Sequence, residues 1–133
     1  MIDFGAAIKI NPLLADAYNN KGLLLAKDKG DLEGGILNLT KAIEIDPNYV
    51  DAYLSRGMAY MRMGQSDKSI ADYSNAIKIS PKNPDAYYNR AAAYARTKSY
   101  DKAWDDCYMA KILGARMNPS FVKDLMKASG RKE

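Results

Sequence analysis

The sequence predicts an all-α fold, an α–α superhelix of three helix-turn-helix units with a preceding half unit and a C-terminal capping helix. Three observations carry this expectation. Asp-Ala-Tyr recurs at Asp16-Ala17-Tyr18, Asp51-Ala52-Tyr53 and Asp85-Ala86-Tyr87, with separations of 35 and 34 residues. A fixed period of that size belongs to stacked helical arrays. Each copy opens an apolar-periodic stretch that stops at a short turn, Lys29-Gly30-Asp31, Met63-Gly64-Gln65 or Thr97-Lys98-Ser99. A second periodic stretch then runs, in the first two units, to Ile45-Asp46-Pro47 and Ile79-Ser80-Pro81, where proline ends the helix and turns the chain into the next unit.

The elements follow in order. Within residues 1–14, Phe4, Ala7, Ile8, Ile10 and Pro12 match the end of a second helix, so residues 2–10 read as half a unit. A helix that short is marginal alone and must pack on the first full unit. Its unpaired apolar face implies a fragment of a longer protein or a terminus that dimerises. Complete units span residues 15–49, 50–83 and 84–117. The first is one residue longer before Gly30, and the extra residue is expected near that turn. Gly114 to Pro119 breaks the pattern. Residues 118–133 then form a capping helix and tail, with Phe121, Val122, Leu125 and Met126 apolar.

Small residues recur where paired helices must approach: Gly22, Gly57 and Ala91 in the first helix, Gly35, Ser69 and Ala103 early in the second, and Ala42, Ala76 and Ala110 further along it. Large residues fill the complementary places, among them Tyr18, Tyr53, Tyr87, Tyr60, Tyr94, Leu39 and Tyr73. Small against large at helical spacing is what packing of an antiparallel helix pair requires.

Composition narrows the function. The chain has no histidine, which removes His-based triads, Cys-His nucleophiles and nearly all catalytic zinc sites. Nothing places two carboxylates in a shared apolar pocket for raised-pKa acid chemistry. The single cysteine, Cys107, stands among large residues in Trp104-Asp105-Asp106-Cys107-Tyr108 and reads as a small core side chain. No enzyme, cofactor, metal or small-molecule substrate is expected. No run approaches the roughly 20 apolar residues of a membrane span, and the N-terminus lacks a signal-peptide pattern, so a cytoplasmic location is expected.

The formal charge of +4 is unevenly placed. Residues 1–110 hold 14 basic and 14 acidic side chains, whereas residues 111–133 hold six basic (Lys111, Arg116, Lys123, Lys127, Arg131, Lys132) against Asp124 and Glu133. A nucleic-acid groove would carry a basic stripe along the array. A solvated, basic terminal helix fits better, and nucleic acid is not the expected partner.

The aligned units Asp16-Ala-Tyr-Asn-Asn-Lys-Gly22, Asp51-Ala-Tyr-Leu-Ser-Arg-Gly57 and Asp85-Ala-Tyr-Tyr-Asn-Arg-Ala91, with the small and large sets above, closely resemble the tetratricopeptide repeat across nearly the whole chain. That resemblance implies a solenoid whose first helices line a concave, protein-binding face. The inward positions would be Asn19, Asn20 and Leu23, then Leu54, Ser55, Met58, Met61 and Arg62, then Tyr88, Asn89, Ala92 and Arg96. Asn20, Ser55 and Asn89 form a column, and an amide there can donate to and accept from an extended peptide backbone. Met58 and Met61 suit varied apolar side chains or simply fill gaps between helices.

Two further columns align, Asp16, Asp51 and Asp85 in the first turn and Lys27, Arg62 and Arg96 in the last. Both complement the helix dipole, and arginine can in addition grip a carboxylate with two bonds. Tyr88 to Tyr94 also resembles the middle repeat of co-chaperone domains that clamp a C-terminal carboxylate. The preceding unit, however, has Leu54 and Met58 where that clamp needs lysine and asparagine, and only Asn89 remains. The expected partner is a peptide or helix of another protein. The structural alternative is self-association, a homodimer through the exposed N-terminal half unit.

Overall fold

The computed structural model describes residues 12–131, which hold seven α-helices and no strand. They are α1 (Pro12–Lys27), α2 (Leu32–Ile45), α3 (Val50–Arg62), α4 (Ser66–Ile79), α5 (Pro84–Arg96), α6 (Tyr100–Ile112) and α7 (Pro119–Ser129). The half unit expected over residues 2–10 lies outside the described residues. No described helix is long and apolar enough to cross a membrane.

The turn inside each helix pair is made by one residue in the left-handed region: Gly30 (φ 66°), Gly64 (φ 78°) and Lys98 (φ 62°). Glycine adopts this conformation without the steric cost that a Cβ imposes. The same bonds close the second and third turns: the Gln65 N–H donates to the Tyr60 carbonyl at 2.9 Å and the Ser99 N–H to the Tyr94 carbonyl at 2.9 Å. In the first unit the Asp31 N–H reaches back one residue further, to the Leu25 carbonyl at 2.8 Å. The extra residue therefore lies in this turn, where it leaves the packing register of both helices unchanged.

Three helix starts, those of α2, α5 and α7, carry a side-chain cap. Asp31 accepts from the Gly34 N–H, and Asn83 and Asn118 accept from the N–H two residues on, with Pro84 and Pro119 opening α5 and α7. α2 and α4 stop at Asp46 and Ser80, which precede prolines and are pushed out of the helical region.

The core is a string of small clusters between neighbouring helices, as a quasi-one-dimensional array requires. Leu39, Tyr73 and Cys107 occupy one buried place in α2, α4 and α6, facing the small residues Gly22, Gly57 and Ala91. The volumes compensate. A Cβ on Gly57 would sit 2.5 Å from Tyr73 Cε1, and one on Gly22 would sit 2.7 Å from Leu39 Cγ. Only opposite the shorter Cys107 does the first helix carry an alanine.

Each first helix packs on its own second helix, and each second helix on the next first helix. In addition α3 touches both α1 and α5, while the second helices meet each other less closely. Contact between alternate helices on one side only is what bends the stack, so α1, α3 and α5 form its inner layer.

Candidate functional site

The inner layer presents most of the expected groove residues, with unequal access. Asn20 and Met58 are exposed, Met58 at 46%, while Leu23, Leu54, Ser55, Met61, Tyr88, Asn89 and Ala92 are half-buried. Asn20, Ser55 and Asn89 sit at equivalent turns of α1, α3 and α5, Asn20 exposed and the other two half-buried.

Asn19 behaves differently from its counterparts Leu54 and Tyr88. It is only 5% exposed, and its side-chain oxygen has no hydrogen-bond partner. The cause is the close approach of α1 and α2. A Cβ on Gly35 would lie 2.8 Å from the Ala26 Cβ and 2.9 Å from the Gly22 carbonyl oxygen. That contact draws in the residues one turn either side of Gly22, namely Asn19 and Ala26, and closes Asn19 off from the groove.

Arg62 and Arg96 are exposed but engaged. Arg62 donates to the Ala26 carbonyl at 2.8 Å and Arg96 to the Met61 carbonyl at 2.8 Å. Each reaches the last turn of the preceding first helix, at the negative end of the helix dipole. These arginines join inner helices to each other. Asp16 of the acidic column is likewise used, accepting from the Tyr49 hydroxyl. Burial, helped by that carboxylate, pushes the Tyr49 hydroxyl up to about 12.

The third-unit end of the groove is shaped by α7. Tyr88 accepts a hydrogen bond from the Asn118 N–H at 2.9 Å, and its ring lies 5.5 Å from Phe121. Met61, Ala92 and Arg96 then face Phe121 and Asp124 across a cleft of about 430 Å³. α7 thus supplies one wall of this cleft, which the repeat period did not indicate because residues 118–131 do not keep the period.

The strongest polar contacts lie between the two layers and were not anticipated from the sequence. Arg56 grips Asp72 with two bonds, Nε to Oδ2 at 2.9 Å and Nη2 to Oδ1 at 2.7 Å, and donates a third to Thr40 at 3.1 Å. Arg90 repeats this with Asp106 (2.7 and 2.7 Å) and Ser74 (3.2 Å). The guanidinium groups also lie within 6 Å of two tyrosine rings each, Tyr53 and Tyr60 or Tyr87 and Tyr94. Burial pushes the Asp72 carboxyl above the ordinary carboxylate range, and the bonds from Arg56 work against that. The bonds from Asp106 in turn hold the Arg90 proton more firmly than in a free guanidinium. The signal was present: Arg56 and Arg90, and Asp72 and Asp106, each recur at the same 34-residue interval as the turns. Cys107 is buried, and its thiol is pushed up to about 11, away from thiolate reactivity.

Comparison with known proteins agrees with this architecture. The family profile described as "TPR repeat" matches residues 27–64 and 59–98. Mouse DnaJ homolog subfamily C member 7 is 36% identical over 59 residues, covering 44% of this chain and 12% of that protein's length. The first TPR of Spaghetti (RPAP3), solved bound to the HSP90 peptide SRMEEVD, superposes with a TM-score of 0.82 at 23% identity, covering 92% of this chain and 96% of that one. The Arabidopsis OM64 TPR domain gives 0.81 at 24% identity, over 88% and 98%.

Proposed function

We propose that this chain, which belongs to the tetratricopeptide repeat family, binds an extended or helical segment of a partner protein in its concave groove without acting on it chemically. The observation that carries this reading is the inner face itself, where the polar column of Asn20, Ser55 and Asn89 runs beside an exposed Met58 and half-buried Leu23, Leu54 and Met61. Amides and a hydroxyl in a column suit the repeating donors and acceptors of a peptide backbone. The thioethers adapt to apolar side chains of different shape. The unit boundaries 15–49, 50–83 and 84–117, with a cap from 118, belong to the same reading.

The fold is shared with a domain solved around an HSP90 peptide ending in EEVD. The groove chemistry here points to a different ligand. Leu54 and Met58 stand where a carboxylate clamp needs a lysine and an asparagine, and Arg62 and Arg96 already bond to backbone carbonyls. An apolar segment held by its backbone fits better than an acidic tail.

The test is parallel capture of partners from a cell lysate with the native chain and with an Asn20→Ala, Asn89→Ala variant, each set identified by mass spectrometry. Partners lost only with the variant place binding in the groove. Identical sets move the interaction to the ends of the array and refute the groove assignment.

A further inference from the structure

We propose a second docking surface, on the outer side of α6 and α7, that takes an acidic amphipathic helix of another protein. It goes beyond the groove reading and does not depend on it. Here α7 does not cover α6 as α3 covers α2 and α5 covers α4. Leu125 and Phe121 reach the core beside Cys107, and the Trp104 indole donates to Ser129 at 2.9 Å. An open cleft of about 770 Å³ remains between the two helices, floored by Trp104, Tyr108, Met117, Val122 and Met126.

Its apolar character is peculiar to this end. Tyr108 stands where the earlier units have Thr40 and Ser74, and Ile112 where they have Glu44 and Lys78. Both are among the most exposed large apolar side chains described, at 67% and 59%. They lie one turn apart on α6, the spacing that meets the apolar stripe of a second helix.

Charge selects the occupant. Lys111 and Arg131 line the cleft together with Asp105; Arg131 pairs with Asp101 at 3.1 Å, which leaves Lys111 and the exposed Lys123 and Lys127 of α7 as the cations of the rim. The whole positive excess of the chain falls in residues 111–133. A second copy docking by two-fold symmetry would set this basic rim against itself. A helix with an apolar stripe and carboxylates along its flanks satisfies the floor and the rim together.

The single tryptophan of the chain, Trp104, reports on the cleft directly. Two synthetic helical peptides of about 16 residues, some four turns long, would be titrated against the native chain. They share one leucine stripe and differ only in glutamate or lysine on the flanks. The glutamate peptide is expected to shift Trp104 emission and to bind at least about tenfold more tightly than the lysine peptide. Tyr108→Ser with Ile112→Lys installs the second unit's residues on an exposed face, and should abolish binding while helical circular dichroism is retained. Asn20→Ala with Asn89→Ala should leave it unchanged. Equal binding of both peptides, binding of neither, or survival of binding in the Tyr108→Ser, Ile112→Lys variant would overturn the proposal. So would a concentration-dependent dimer abolished by those same substitutions, since the occupant would then be a second copy.

Discussion

The first helix pair and the two that follow solve the same packing problem by different means. In the second and third units a half-buried arginine ties the first helix to its own second helix through the buried Asp72 or Asp106, and to the preceding unit through Thr40 or Ser74. In the first unit the same places hold Lys21, which is exposed, and Asn38, whose amide donates only to the Gly34 carbonyl of its own helix. What that unit has instead is Gly22 against Gly35, a contact close enough for backbone to meet backbone. The arginine device crosses a unit boundary and couples neighbours. The glycine device strengthens one pair and stops there. An array can therefore keep one period while its local bonding changes, provided each place keeps its volume.

The largest break in that contrast should come from the arginines. Arg56→Ala or Arg90→Ala leaves a buried carboxylate unpaired and should cost about 3 kcal/mol or more, whereas Lys21→Ala should stay within about 0.5 kcal/mol. Urea denaturation of the three variants checks this. Equal losses would mean that the paired charges add nothing beyond what an exposed lysine does. The double variant Arg56→Met, Asp72→Leu should recover most of the loss, because no stranded charge remains.

A smaller effect is expected from the glycine device. Gly22→Ala must push Leu39 and the Gly35 carbonyl aside and should cost about 1–3 kcal/mol, despite alanine's better helix propensity. Such a loss, read as a lower Tm, would place the tightest helix crossing in the first unit. A gain would show that α1 and α2 have room to separate.

The smallest change runs in the stabilising direction. Lys98 holds the left-handed turn position that glycine holds in the other two units, so Lys98→Gly should raise stability by about 0.5–1 kcal/mol. The matching Gly64→Lys should lose a similar amount. Opposite signs at equivalent turns would establish that the strain sits in the backbone and not in the lysine side chain.

Legibility in the sequence was uneven, for physical reasons. The helices, their turns and their prolines were readable because they depend on local rules, namely apolar spacing, capping residues and the conformational freedom of glycine. The equivalent placing of Asn20, Ser55 and Asn89 on α1, α3 and α5 was readable because the period carries one residue to the same turn of each helix. Asn19 was not, since its burial depends on how closely two glycines let α1 and α2 approach. The roles of Arg62 and Arg96 were hidden as well. A terminal arginine looks the same in sequence whether it waits for a ligand or bonds to a neighbouring carbonyl.

What the sequence by itself determined is the family, the all-α repeat and the small-against-large code at Gly22, Gly57 and Ala91, because each follows from residues a fixed interval apart. Only the tertiary structure decided which polar side chains are spent between units, how far α7 closes the groove end, and where it leaves Tyr108 and Ile112 uncovered. Those outcomes depend on distances between helices. Such distances arise from the summed volumes of residues remote in the chain, and no local pattern records them.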